Sequence, residues 1–159
     1  MLAILAGTFG EFYIRGRMGY ALGLVAVACF AIVTLLFFNL FKAVNKNLSL
    51  IAASSNLVGL AIEALRWNPW HLDVAMIFHA AYCLLIGYLV FKSAFLPQVL
   101  GVLMAIAGLS WLTILLPALA QHAAPYNMAA GFLGEVLLML WLLVMGLNVQ
   151  RWNERASAT

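Results

Sequence analysis

The sequence predicts an all-α fold, an integral membrane helical bundle with five clear transmembrane helices and a short N-terminal helix. Of its 159 residues, 67% are apolar and 8% charged, and the mean hydropathy is +1.07. Soluble domains do not have this composition. The nearly charge-free runs are each about 20 residues long, the length at which a helix rising 1.5 Å per residue crosses about 30 Å of hydrocarbon. Membrane strands would instead alternate polar and apolar over about ten residues, and no such segment occurs.

Taken in order, the opening segment 1–14 ("MLAILAGTFGEFYI") is about 21 Å long as a helix, short of an average bilayer. It has no basic region ahead of its apolar stretch, so it does not read as a signal peptide. The spans follow at 18–41, 48–65, 72–91, 98–119 and 128–149, separated by "KAVNKN", "RWNPWH", "KSAFLP" and "AQHAAPYN". Pro97 stands where a helix's first turn accepts proline. Connections this short force antiparallel neighbours, so the whole chain is expected to be one up-and-down transmembrane domain. Residues 150–159 are expected to be a polar tail.

Charge placement sets the expected orientation. Lys42, Lys46, Lys92, Arg151 and Arg155 fall on one side, against Arg15, Arg17 and Arg66 on the other. The richer side is expected to be cytoplasmic, with the C-terminus inside an inner (cytoplasmic) membrane. Arg66, Trp67, Trp70 and Trp152 sit at span ends as interfacial anchors. The net charge of +3 is spread over loops rather than gathered in a patch, so nucleic acid is not an expected partner.

Within this topology the ionisable residues collect on the outer side. His79 lies seven residues after Leu72, and Glu135 seven after Met128. Both are therefore expected about 10 Å below the outer boundary. Glu63, Asp73 and Glu11 lie at outer helix ends, His71 and His122 in outer loops, and Glu154 alone on the cytoplasmic side. Ionisable groups within a bilayer cost several kcal/mol unless paired or hydrated, so they turn toward the bundle interior. Small and polar residues recur at helical spacing: Ala52, Ser55, Gly59 and Glu63; His79, Cys83 and Gly87; Gly101, Ala105 and Gly108; Gly131 and Glu135. Such stripes let helices approach closely. "GYALG", Gly19 to Gly23, is a further small-residue pair. Together these features predict an outward-opening polar pocket lined by His79, Glu135, Glu63, Glu11 and Asp73.

Four segments, "AGTFGEFYIRG", "LFKAVNKNLSLIAA", "FHAAYCLLIGYLVFKSAFLPQVLGVLMAIAGLSWL" and "GEVLLMLWLLVMGLNVQRW", resemble the bacterial membrane family catalogued as domain of unknown function 4386. The resemblance covers most of the chain and implies a multi-helix inner-membrane protein, with Glu11, His79 and Glu135 at positions like the family's. The chain is shortened relative to that pattern around Arg17 and between Glu63 and His79. It also carries Asn56 where relatives tend to have an arginine. An acid that meets that arginine elsewhere is either unpaired or re-paired here, and Asn56 itself is a candidate for the pocket.

Catalytic and cofactor signatures are sparse. Cys29 and Cys83 lie in apolar runs without CxxC spacing and are expected to be packing residues. The ligand pool for a metal is His71, Asp73, His79, His122, Glu63 and Glu135, with His71, His79 and His122 as the histidine candidates, but no HExxH-like spacing is present. Haem would need a second histidine at the depth of His79, or a Met76 or Met139 partner. Ser54 and Ser55 lack a GxSxG elbow. No cofactor is expected. The expected role is non-catalytic: binding of a lipid-like or small ligand, or of a membrane partner such as a second copy, through the outer pocket. The alternatives are a metal-dependent membrane hydrolase using the outer histidines and acids, and a purely structural subunit in which His79 and Glu135 fix helix register.

Overall fold

The computed structural model describes residues 17–66, 74–115, 122 and 126–157. The helices are α1 (Arg17–Phe41), α2 (Lys46–Ala64), α3 (Val74–Lys92), α4 (Gln98–Leu112), α5 (Tyr126–Val144) and α6 (Val149–Ser157). There is no strand among the described residues. The expected short helix 1–14 lies outside them.

Four helices, α1, α2, α3 and α5, are long and apolar enough to cross a membrane. The fourth expected span, 98–119, keeps α-geometry only to Leu112 and then tightens into a 3₁₀ turn, Thr113–Leu115. Its 15 residues give about 22 Å as α-helix, and the tighter turn adds about 6 Å. Residues 116–119 lie outside the described residues.

Local chemistry sets the boundaries. Asn45 caps α2 by accepting from Leu48 N at 3.0 Å, which satisfies one of the free N–H groups of the first turn. Arg66, just past the end of α2, has φ of +50°, a conformation a bulky residue adopts only under constraint. Its guanidinium lies over the Tyr20 ring of α1 at 4.9 Å, so this expected anchor also ties two helices together.

The C-terminal end differs from expectation. The fifth span ends at Val144, where Met145 N and Gly146 N both donate to Trp141 O (2.8 and 3.1 Å). Gly146 then turns left-handed at φ +68°, which glycine accommodates without steric cost. Asn148 caps a new helix by accepting from Arg151 N at 3.1 Å. The polar tail expected at 150–159 is therefore largely helix α6. It docks on the bundle end that carries Lys42, Lys46 and Lys92: Trp152 Nε1 donates to Leu40 O (3.0 Å), Arg151 Nη1 to Ala94 O (3.1 Å) and Asn148 N to Phe95 O (3.3 Å).

Consecutive spans pack side by side, α1 on α2, α2 on α3, α3 on α4 and α4 on α5. In lipid no hydrophobic drive pushes apolar helices together, so close packing and interhelical hydrogen bonds must hold them. The small-residue stripes provide that packing. A Cβ added to Gly101 would stand 2.6 Å from Gly87 O and 2.7 Å from Phe91 N; the α3–α4 seam is backbone against backbone. On α2, Ser49 Oγ donates to Phe38 O of α1 and Ser55 Oγ to Phe78 O of α3, both at 3.2 Å. Gly23 of "GYALG" makes no such seam among the described residues, where nothing lies within 4 Å of a Cβ built on it. Near the basic end the core is aromatic and aliphatic, with Phe41 stacked on Phe95 at 6.0 Å above buried Leu89 and Val90. Ile32, Leu36, Val99 and Leu143 face outward, as lipid-facing positions should.

Candidate functional site

At the centre of this apolar bundle is a hydrogen-bonded network to which each of the five long helices contributes. Its members are Thr34 of α1, Asn56 of α2, His79 and Cys83 of α3, Trp111 of α4 and Glu135 of α5. Measured along their helices from the basic end, these residues stand about 10 to 20 Å in, the middle of a bilayer-sized slab.

The bonding order fixes proton positions step by step. Thr34 Oγ1 donates to Phe30 O at 2.8 Å, so its oxygen accepts from Asn56 Nδ2 at 2.7 Å. That orientation aims Asn56 Oδ1 at His79 Nδ1, 3.2 Å away. A carbonyl oxygen only accepts, so Nδ1 carries the hydrogen. The other ring nitrogen, Nε2, meets Glu135 Oε1 at 2.9 Å. One proton bridges that contact, whether written as imidazolium with carboxylate or as imidazole with carboxylic acid. The pair is neutral overall in either form, which is how ionisable groups persist at this depth.

Glu135 Oε1 is the hub. It also accepts from Trp111 Nε1 at 3.0 Å and from Cys83 Sγ at 3.8 Å, while Cys83 Sγ lies 3.7 Å from His79 Nε2. His79 and Cys83 are four residues apart on α3 and so present on one face. Gly131, one turn before Glu135, explains how the indole reaches the carboxylate: a Cβ there would be 2.7 Å from Trp111 Cε2. Only a bare backbone lets the ring lie against α5. Phe30, Trp111 and Tyr82 surround the imidazole with ring centroids 6.1, 6.1 and 6.2 Å away. The His79 side chain is 19% exposed and that of Glu135 9%, so the imidazole is the accessible edge of the cluster. Tyr82 is buried beside it, with its hydroxyl next to that of Thr34.

The sequence-derived candidates divide accordingly. His79, Glu135 and Asn56 come together. Glu63 is exposed near the C-terminal end of α2, about 10 Å along the helix from Asn56. His122 is exposed ahead of α5. Glu11, Asp73, His71, Trp67 and Trp70 lie outside the described residues. Cys83, expected as a packing residue, is within the network, Thr34 and Trp111 join it without a signal of their own, and Tyr82 packs beside it. The hydroxyls of Ser54 and Ser55 donate to main-chain carbonyls, Ile51 O and Phe78 O, rather than meeting a base. Among the described residues, one group can present three metal-ligating atoms to a common point: His79, Cys83 and Glu135.

Fold and site together define the class: a multi-pass helical membrane protein with a histidine–glutamate network at its centre. The chain belongs to the family described as Domain of unknown function (DUF4386), which matches residues 63–146. An uncharacterized protein of Archaeoglobus fulgidus is 31% identical over 115 residues, covering 67% of this chain and 70% of its own length. No solved structure matches the chain significantly. The family match takes in His79, Cys83, Trp111 and Glu135 and leaves out Thr34 and Asn56.

Proposed function

We propose that this chain is a non-catalytic binding protein of the cytoplasmic membrane, C-terminus inside, which takes a small or lipid-like ligand at His79 and Glu135 from the outer side. The observation that supports this most is the excess of polar groups gathered at one point. Holding helix register needs one interhelical bond, worth about 0.6 kcal/mol on average in a membrane. Here Oε1 of Glu135 is approached by three donors, His79, Cys83 and Trp111, and Tyr82 is buried beside them. Polar groups concentrated at membrane depth beyond structural need mark binding sites. The five-against-three distribution of Lys and Arg supports the orientation.

Non-denaturing mass spectrometry of the full chain released from mild detergent tests the reading. The expected result is a discrete added mass that disappears in His79→Ala. The bare polypeptide mass in both proteins, with the variant only less stable, would instead make the network a structural pair.

A further inference from the structure

The site just described also specifies its ligand chemistry. We infer that His79 Nε2, Cys83 Sγ and Glu135 Oε1 form three positions of a four-coordinate site for a divalent transition-metal ion of zinc's type. This rests on reading the cluster as a binding site and names what it binds.

The donor spacing is the primary observation. In a tetrahedral zinc site with bonds of about 2.0–2.1 Å to nitrogen and oxygen and about 2.3 Å to sulfur, the donors stand about 3.3–3.6 Å apart. The observed separations are 2.9 Å between Nε2 and Oε1, 3.7 Å between Sγ and Nε2, and 3.8 Å between Sγ and Oε1. Shifts of a few tenths of an ångström convert the hydrogen-bonded triangle into one face of a tetrahedron. The fourth position is left for water or a further ligand.

The surrounding shell provides a second, independent observation. Metal-bound histidine characteristically donates its other ring N–H to a fixed oxygen, and metal-bound carboxylates are themselves hydrogen-bonded. Here the Phe30–Thr34–Asn56 relay presents the Asn56 carbonyl oxygen to Nδ1 as an acceptor, which suits Nε2 as the ligating atom, and Trp111 Nε1 holds Oε1. The relay runs through two helices and orients an imidazole on a third.

Charge accounting selects the ion. Without a metal, the three groups hold one bridging proton on the His79–Glu135 pair and one on the Cys83 thiol, and are neutral together. A divalent ion bound to neutral imidazole, thiolate and carboxylate displaces those two protons, and the site is neutral again. No net charge is moved into hydrocarbon, whereas a monovalent ion would leave the site one charge negative. The thiolate and imidazole favour a borderline-soft ion over magnesium or calcium, which take oxygen ligands. This ligand set replaces the expected one: Cys83 from the same helix face takes the place of the loop histidines His71 and His122.

Cobalt(II) is the probe, titrated into chelator-stripped full-length protein in mild detergent. The expected result is the intense visible absorption of four-coordinate cobalt together with a near-ultraviolet thiolate-to-cobalt band, saturating at one ion per chain and erased by zinc. Cys83→Ser, or Cys83→Ala should the serine variant not fold, loses the thiolate band, while Cys29→Ser retains it. Asn56→Ala weakens cobalt binding about 10- to 100-fold, the usual effect of removing a ligand's supporting partner. The weak spectrum of aqueous six-coordinate cobalt from the parent protein, or a thiolate band that persists without Cys83, overturns the inference. An organic adduct that depends on His79 without any cobalt signal would overturn the metal and leave the binding site standing. Absence of both would overturn the two readings together.

Discussion

At the scale of single residues, one carboxylate oxygen organises the bundle interior, and its removal should be disproportionately costly. Glu135→Ala strands the Trp111 indole N–H and leaves the histidine without its counter-group. Breaking a buried pair in this way costs about 3–5 kcal/mol. Thr34→Val removes one acceptor at the far end of the relay and should cost about 0.6–1.7 kcal/mol, the range of single interhelical bonds in membranes. Unfolding by SDS in mixed micelles measures both, and equal losses would show that Oε1 is not the hub. His79 and Glu135 were legible in the sequence because an ionisable side chain inside an apolar run is conspicuous. Cys83, Trp111 and Thr34 were not, because each is common in apolar helices and acquires its role only from what stands opposite.

At the scale of elements, the small-residue stripes separate into those that pack and one that does not. Gly101→Ala places a methyl 2.6 Å from Gly87 O, and neither backbone can yield without parting α3 from α4. A loss of about 1–3 kcal/mol is expected, as for other overpacked sites. Gly23→Ala meets nothing within 4 Å and should be neutral or stabilising by up to about 1 kcal/mol through helix propensity. Thermal stability of the two variants in detergent checks the contrast, and a destabilised Gly23→Ala would place a partner helix against "GYALG". The α-helical spans were legible from length and hydropathy. α6 was not read as a helix because its signals are local, a left-handed glycine at 146 and an asparagine cap at 148, while attention to hydropathy reads any polar segment as tail.

At the scale of the whole molecule, α6, the α1–α2 turn and the α3–α4 connection form one end of the bundle, and that end holds Lys42, Lys46, Lys92 and Arg151. The expected outcome for a cysteine introduced at Lys46, in a chain with its own two cysteines replaced by serine, is protection from a membrane-impermeant thiol reagent in intact cells and labelling after lysis. Labelling in intact cells would reverse the orientation and put the His79 edge of the site on the cytoplasmic side. The same inversion would change the side from which a ligand reaches the site, without changing the three residues proposed to hold a metal.

By itself the sequence determined that the chain is a bundle of membrane helices, roughly where each begins, and that His79 and Glu135 lie at similar depth. Hydrocarbon thickness and the cost of buried charge act on composition and position along the chain, so both can be read in one dimension. Only the tertiary structure decided that Cys83 and Trp111 converge on that pair, that Gly131 makes room for the indole, and that α6 docks against Leu40 and Ala94. Those outcomes depend on helix rotation and on distances between segments far apart in the chain, and no local pattern encodes them.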